Sequence, residues 1–278
     1  MADKIKVLIV DDSALVRQIL TEILDQDPDI EVVGVASDPY AARDKIKKLD
    51  PDVLTLDVEM PRMDGLTFLS NLMRLRPMPV VMVSSLTESG AAVTLQALEL
   101  GAIDFVTKPK VDLAHTLDDY ALEIREKVRI AARARVQERR PSPMPVAKPS
   151  AATVAEKYSA DVILQRNERQ RPFKTTDSII AIGASTGGTE AIREVLVRMP
   201  LTCPGIVITQ HIPEAFSGPF ARRMDSVSVI SVCEAQDGQP VYPGHAYIAP
   251  GNRHLMLVRD GARYVCRLND GPPVTRHR

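Results

Sequence analysis

The sequence has few of the features that mark nucleic-acid-binding, secreted or membrane-spanning proteins. Its formal net charge is −1, with 35 lysines and arginines against 36 aspartates and glutamates, which argues against a general binder of polyanions. No apolar run approaches the ~20 residues needed to cross a bilayer. The short apolar run near the N-terminus precedes two acids, which fits a first strand and not a signal peptide. We therefore expect a cytoplasmic protein without a nucleic-acid partner and without direct membrane insertion.

Cysteine is also scarce. The three cysteines, Cys203, Cys233 and Cys266, are an odd number and lack the spacing of a metal site. Each lies in or beside an apolar stretch. This pattern predicts buried free thiols in a reducing compartment.

A length of 278 residues with 45% hydrophobic residues allows two domains. In residues 1–130, short strand-like runs rich in β-branched residues alternate with segments of helix-like pattern. This alternation predicts an α/β fold with a doubly wound, five-stranded parallel sheet. The predicted strands cover 7–10, 32–36, 53–56, 80–83 and 105–106. The predicted helices cover 13–25, 39–49, 65–75, 91–100 and a segment from 117 to about 135.

The composition changes in the middle of the chain. Residues 131–176 are rich in proline, alanine, serine and charge, which predicts a semi-extended, solvated linker. Residues 177–278 then return to an α/β pattern and predict a second, Rossmann-like domain with a parallel sheet. Its predicted strands cover 178–184, 205–210, 229–232, 246–249, 255–258 and 264–268, with a helix at 189–199.

Five polar residues in the first domain follow or end apolar strands: Asp11, Asp12, Asp57, Ser84 and Lys108. The carboxyl ends of parallel strands converge on one crevice, so we expect these side chains to meet there. Three neighbouring carboxylates repel one another unless a cation neutralises them, and hard oxygen ligands suit Mg²⁺. The set predicts phosphoryl transfer to Asp57, with Mg²⁺ and Lys108 balancing the charge.

A second group of residues joins a buried strand to a helix in the second domain. Ser185 stands in the glycine-rich turn GASTGG, where backbone N–H groups near the helix start can stabilise an oxyanion. His211 follows the next predicted strand, within reach to act as its base. Such a turn can also be an anion or nucleotide cradle, although it lacks the spaced glycines of G-x-G-x-x-G and the lysine of a P-loop.

The first group of motifs, with VEMPRMDG after Asp57 and KP at 108–109, resembles the receiver domain of bacterial response regulators over residues 4–130. The resemblance implies a flavodoxin-like fold and phosphorylation of Asp57 by a histidine kinase. It implies that Asp11, Asp12 and Asp57 bind the metal. It also implies that Ser84, Phe105 and Lys108 form the switch.

The segments GASTGGTEAI, ITQHIP, HAYIAPGNRH and DGPPVTRHR closely resemble the catalytic domain of the chemotaxis protein-glutamate methylesterase (CheB) family. The resemblance implies Ser185 as nucleophile, His211 as base and the Thr186 amide as an oxyanion donor, with no cofactor for hydrolysis. The implied substrates are glutamate γ-methyl esters, and certain glutamines, on methyl-accepting chemoreceptors. We further expect the unphosphorylated receiver to cover the mouth of this site.

The sequence also departs from the pattern of that family. The family's catalytic domain continues beyond the equivalent of Arg278, with a glycine-rich segment that carries the third triad residue. We therefore expect an incomplete catalytic domain with exposed apolar surface and strand edges. We assign none of Asp237, Asp260 and Asp270 as a substitute. The rival hypothesis is a phosphorylation-dependent binding module for the histidine kinase or the receptors, without catalytic turnover.

Overall fold

The computed structural model describes residues 4–61, 63–85, 87–108, 114–136, 178–261 and 263–272. The predicted linker, 131–176, lies outside these ranges apart from its first six residues. The last residues of the DGPPVTRHR motif also lie outside them.

The N-terminal half is a five-stranded parallel sheet with the strand order β2-β1-β3-β4-β5. Its elements are β1 (Ile5–Val10), α1 (Ala14–Asp25), β2 (Ile30–Ala36), α2 (Pro39–Leu49), β3 (Val53–Asp57), α3 (Gly65–Leu75), β4 (Val80–Ser84), α4 (Glu88–Leu100), β5 (Asp104–Thr107) and α5 (Ala114–Arg133). The predicted doubly wound α/β fold is confirmed.

Local signals place the ends of these helices. The Ser13 hydroxyl accepts a hydrogen bond from the Val16 N–H at 3.4 Å and caps α1, as residues of this type commonly do. The Asp38 side chain caps α2, in which Pro39 is the first residue. Gly101 ends α4 with a φ of +113°, a conformation that glycine adopts without strain.

The C-terminal half has a four-stranded parallel sheet, in the order β6-β7-β9-β8, and a separate antiparallel hairpin, β10-β11. Its elements are β6 (Ile179–Ala184), α6 (Gly188–Leu196), β7 (Gly205–Gln210), α7 (Glu214–Val227), β8 (Ser231–Glu234), β9 (His245–Ile248), β10 (His254–Asp260) and β11 (Arg263–Asn269). The α/β prediction is confirmed for this half as well. Strand β10 leaves Met256, Leu257 and Val258 37–43% exposed.

The two halves pack against each other through α4, which contacts α7 and α6. One continuous hydrophobic cluster includes Leu95, Leu98 and Phe105 from the first half and Ile192 and Phe216 from the second. The apolar surfaces of the two halves therefore exclude water from each other.

All three cysteines are free. Cys203 and Cys266 are buried, as predicted, whereas Cys233 is half-buried. Burial raises the pKa of the Cys266 thiol to about 11, which keeps it protonated and unreactive. Within the described ranges, every helix is too short or too polar to cross a membrane.

Candidate functional site

The first candidate site is an acidic crevice at the carboxyl edge of the first sheet. Asp57 ends β3 and Asp11 follows β1, and both are fully buried. One carboxylate oxygen from each of Asp11, Asp12 and Asp57 lies within 4.8 Å of the others. The Lys108 Nζ lies 2.8 Å from Asp57 Oδ2 and 3.8 Å from Asp11 Oδ2. The structure thus brings together four of the five predicted polar residues.

The electrostatics of this crevice favour a bound cation. Burial raises the pKa of Asp57 to about 6, although the hydrogen bond from Lys108 acts in the opposite direction. Burial also raises the pKa of Asp11. Among the residues that the structure describes, the buried Asp11 Oδ2 has no hydrogen-bond partner. An unpaired buried carboxylate oxygen is costly. Together with one oxygen each from the exposed Asp12 and the buried Asp57, it forms a donor set that fits Mg²⁺.

Ser84, the fifth predicted residue, ends β4 and is fully buried. Its hydroxyl faces α4. The Thr94 hydroxyl lies 2.7 Å from Ser84 Oγ, and the Gly90 carbonyl oxygen lies 3.4 Å from it. Ser84 therefore connects the crevice to α4, the helix that packs on the second domain. Thr94 was not predicted from the sequence.

Phe105 lies at the boundary between the two domains. Its ring stacks on the ring of Phe216 in α7, with centroids 4.6 Å apart and planes inclined by 11°. The Lys127 Nζ donates to the Phe105 carbonyl at 2.6 Å and lies 5.1 Å from the Phe105 ring centroid. The predicted switch aromatic is thus packed directly on the second domain.

The second candidate site begins at the turn between β6 and α6. Ser185 is exposed in this turn, and Gly187 has a φ of +74°. The Gly188 N–H donates to the Ser185 carbonyl at 2.7 Å. A Cβ on Gly188 would lie 2.1 Å from Gln210 Oε1 and 2.6 Å from Ala184 Cβ. Only glycine fits there, so the turn is sharp and presents Ser185 at the carboxyl edge of the sheet.

His211 follows β7, which pairs in parallel with β6. The His211 N–H donates to the Ala184 carbonyl at 3.1 Å. The Gln210 carboxamide donates to the Ser185 carbonyl at 3.0 Å. Ser185 and His211 therefore lie at the ends of two adjacent strands, as predicted, with Gln210 joining their backbones. The Thr186 amide stands just before α6, near the positive end of the helix dipole.

The N-terminal half flanks this second site without burying Ser185. One cleft is bounded by Thr186 and Gly187 on one side and by Leu98, Gly101 and Ile130 on the other. A second cavity is lined by His211, by residues 249–255 and, from α5, by Glu123. The N-terminal half therefore lies beside the mouth but leaves Ser185 exposed, so the expectation that it covers the mouth is not met at Ser185.

An ion pair joins the two halves beside these cavities. Arg223 of α7 pairs with Glu99 of α4, and their side chains are 19% and 38% exposed. Burial lowers the pKa of the Arg223 guanidinium. Neither residue was singled out in the sequence, because an ion pair between distant helices has no local signal.

Of the three acids that were not assigned as triad members, Asp237 lies between β8 and β9, Asp260 ends β10 and Asp270 follows β11. Asp270 accepts from the Arg253 guanidinium at 2.7 and 3.1 Å. Asp237 accepts from Arg267 and from the Leu268 N–H. Asp260 ends β10 and is exposed. The carboxylates of Asp237 and Asp270 therefore bind residues of the hairpin or of the loop before it, in keeping with the decision not to assign them as triad members.

Comparison with known proteins covers both halves. A family model described as CheB methylesterase matches residues 180–278, and one described as a response regulator receiver domain matches residues 7–118. A protein-glutamate methylesterase/protein-glutamine glutaminase of Hydrogenovibrio crunogenus is 58% identical over 99% of this chain and 77% of its own length. A relative of the same name from Geobacter metallireducens is 60% identical over 99% of this chain and 73% of its own length.

Among solved structures, the response regulator domain of Thermotoga maritima CheB is 47% identical, with a TM-score of 0.43. The match covers 48% of this chain and 98% of the solved chain. The extent of the sequence identity decides the assignment: this chain belongs to the CheB methylesterase family, with an N-terminal receiver domain and a C-terminal methylesterase domain.

Proposed function

We propose that the protein is a phosphorylation-regulated protein-glutamate methylesterase that also acts as a protein-glutamine glutaminase on chemoreceptors in bacterial chemotaxis. The observation that carries the proposal is the placement of Ser185 and His211 at the ends of the adjacent parallel strands β6 and β7. Relatives that are 58–60% identical over 99% of the chain carry these two activities in their names. The cytoplasm is the compartment in which such a substrate and a kinase would meet the protein.

The proposed reaction is an acyl transfer to serine. His211 takes the Ser185 proton as Oγ attacks the ester carbonyl, and it then gives that proton to the departing methanol. The Thr186 N–H, next to the N-terminus of α6, stabilises the oxyanion. Water activated by His211 then releases the glutamate. A glutamine side chain follows the same path with ammonia as the leaving group.

The regulation begins at Asp57, which accepts a phosphoryl group from a chemotaxis histidine kinase. Bound Mg²⁺ would be held by Asp11, Asp12 and Asp57 and would neutralise the charge of the phosphoryl oxygens. The Lys108 ammonium, now 2.8 Å from Asp57, would pair with the phosphoryl group instead of the free carboxylate. The other side of that group is available to the Ser84 hydroxyl.

The interface supports a route from Asp57 to the esterase. Turning the Ser84 hydroxyl toward a phosphoryl group breaks its contact with Thr94 of α4. Helix α4 carries Glu99, which pairs with Arg223, and the nearby Phe105 ring stacks on Phe216. Loss of these contacts would separate the receiver from the flanks of the catalytic mouth. This is a shift between two packed arrangements.

The test is methanol release from a methylated chemoreceptor, with and without a small-molecule phosphodonor plus Mg²⁺. The expected result is a rate that the phosphodonor raises, that Asp57→Asn makes insensitive to the phosphodonor, and that Ser185→Ala abolishes. Receptor binding, measured in parallel, separates this function from its rival. Binding without methanol release in the unaltered chain would refute the esterase and favour the binding module.

A further inference from the structure

A buried network next to the catalytic mouth is not used by the proposed reaction. Ser217, in the first turn of α7, is fully buried. Its hydroxyl donates to Glu234 Oε1 at 2.6 Å and accepts from the Gly251 N–H at 3.0 Å. The Glu214 carbonyl oxygen also lies 3.0 Å from Ser217 Oγ. A hydrogen bond of this length to a carboxylate is charge-assisted and among the stronger kinds in proteins.

The network joins three elements at the carboxyl edge of the second sheet. Ser217 belongs to the helix that begins three residues after His211. Glu234 is the last residue of β8. Gly251 lies in the loop that follows β9. A single hydroxyl therefore connects the helix, the end of a strand and a loop, all on the edge where Ser185 and His211 stand.

The loop is pressed against the start of α7. A Cβ on Gly251 would lie 2.4 Å from the Glu214 nitrogen and 2.6 Å from the Pro213 carbonyl carbon. The next residue, Asn252, has a φ of +62°, which is uncommon for a residue other than glycine. This close approach depends on the bond to Ser217, because an unpaired buried N–H of Gly251 would be costly there.

The same loop lines the cavity that contains His211. Residues 249–255 form one wall of this cavity, and His211 with Thr209 and Gln210 forms another. Arg253 of the loop makes two hydrogen bonds to Asp270. A receptor segment whose ester reaches Ser185 would pass along this wall, so the position of the loop decides how the segment is held.

We propose that Ser217 and Glu234 are positioning residues that hold the loop at residues 250–254 beside His211 as a wall of the receptor-binding site. This inference rests on the proposed esterase function and adds a residue pair that sets the affinity for the protein substrate. Neither side chain takes part in proton transfer. The network should therefore affect binding of a receptor more than turnover of a small ester that needs only Ser185 and His211.

The test compares Ser217→Ala with Ser217→Thr, which keeps the hydroxyl, and with Ser226→Ala as a matched control. Ser226 is a serine of the same helix whose hydroxyl donates to the Arg223 carbonyl. With phosphodonor and Mg²⁺ present, Ser217→Ala should raise the KM for methylated receptor about tenfold. Hydrolysis of a small activated ester should change less than about twofold. Ser217→Thr should recover most of the KM, and Ser226→Ala should resemble the unaltered chain.

Three further results are decisive. An unchanged receptor KM in Ser217→Ala, or an equal loss toward the receptor and the small ester, would overturn the proposal. If Ser217→Ala does not fold, Glu234→Gln replaces it, and an unchanged KM in that variant has the same meaning. If the unaltered chain hydrolyses neither substrate, the proposed esterase function fails. Hydrogen exchange of the Gly251 N–H then tests the network separately. Faster exchange in Ser217→Ala than in the unaltered chain supports the network, and unchanged exchange refutes it.

Discussion

The ion pair between Glu99 and Arg223 offers a direct test of control by the receiver. The change is Glu99→Arg, which places a second cation opposite Arg223. The side chains are 38% and 19% exposed, so solvent screens the pair, and its loss alone would cost about 0.5–1 kcal/mol. Replacing attraction by repulsion roughly doubles this, to about 1–2 kcal/mol. The ratio of molecules with separated domains to molecules with packed domains should then rise about 5- to 30-fold.

The measurement is methanol release without phosphodonor, which should rise by the same factor until it reaches the phosphorylated rate. The charge swap, Glu99→Arg with Arg223→Glu, restores an ion pair and should return the rate to the basal level. Glu22→Arg is the control, because Glu22 is exposed on α1, which packs on β1, β2 and α5. Three equal rates, in the unaltered chain, the single variant and the swap, would refute the role of this interface.

Three other predictions concern the crevice, its link to α4 and the serine turn. Because the folded pKa of Asp57 is raised from 3.8 to about 6, the metal-free protein should lose stability as pH rises through that window. Mg²⁺ should then raise the Tm by roughly 3–6 °C at about pH 7.5, much less at about pH 5, and not at all in Asp57→Asn, as followed by circular dichroism. Thr94→Val removes the hydroxyl next to Ser84, so half-maximal activation should need less phosphodonor. The variant should lose about 1 kcal/mol of stability. An unchanged phosphodonor requirement would contradict the route through Ser84. Gly188→Ala forces a Cβ against Gln210 and Ala184, and should cost about 1–3 kcal/mol in denaturant unfolding together with most of the esterase rate; an unaltered rate would show that the sharp turn is not required.

The fold was largely predictable because its signals are local. Short, continuous apolar runs give the parallel strands, as in β3 and β4, where every residue is buried. Ser13 and Gly101 mark helix ends by their own chemistry. The two candidate sites were predictable for a related reason. Polar residues that end such runs must converge at the carboxyl edge of a parallel sheet, and both groups of residues do.

The remainder depends on contacts between residues far apart in the sequence. Helix α7 was not predicted, because Gly218 and Pro219 in its interior are typical of a break. Phe216, Phe220 and Met224 are nevertheless buried at intervals of four residues, and this spacing was the available signal. The bond from Gly251 to Ser217 spans 34 residues, and no pattern within either segment indicates it.

The stacked pair of Phe105 and Phe216 also imposes a thermodynamic relation on the molecule. If a phosphoryl group on Asp57 favours separation of the two rings, then anything else that separates them must favour that phosphoryl group by the same free energy. A receptor segment seated beside His211, as proposed, would compete with the receiver for the flanks of the mouth. Methylated receptor should therefore strengthen binding of a phosphoryl analogue at Asp57, so that the abundance of substrate is communicated back to the switch.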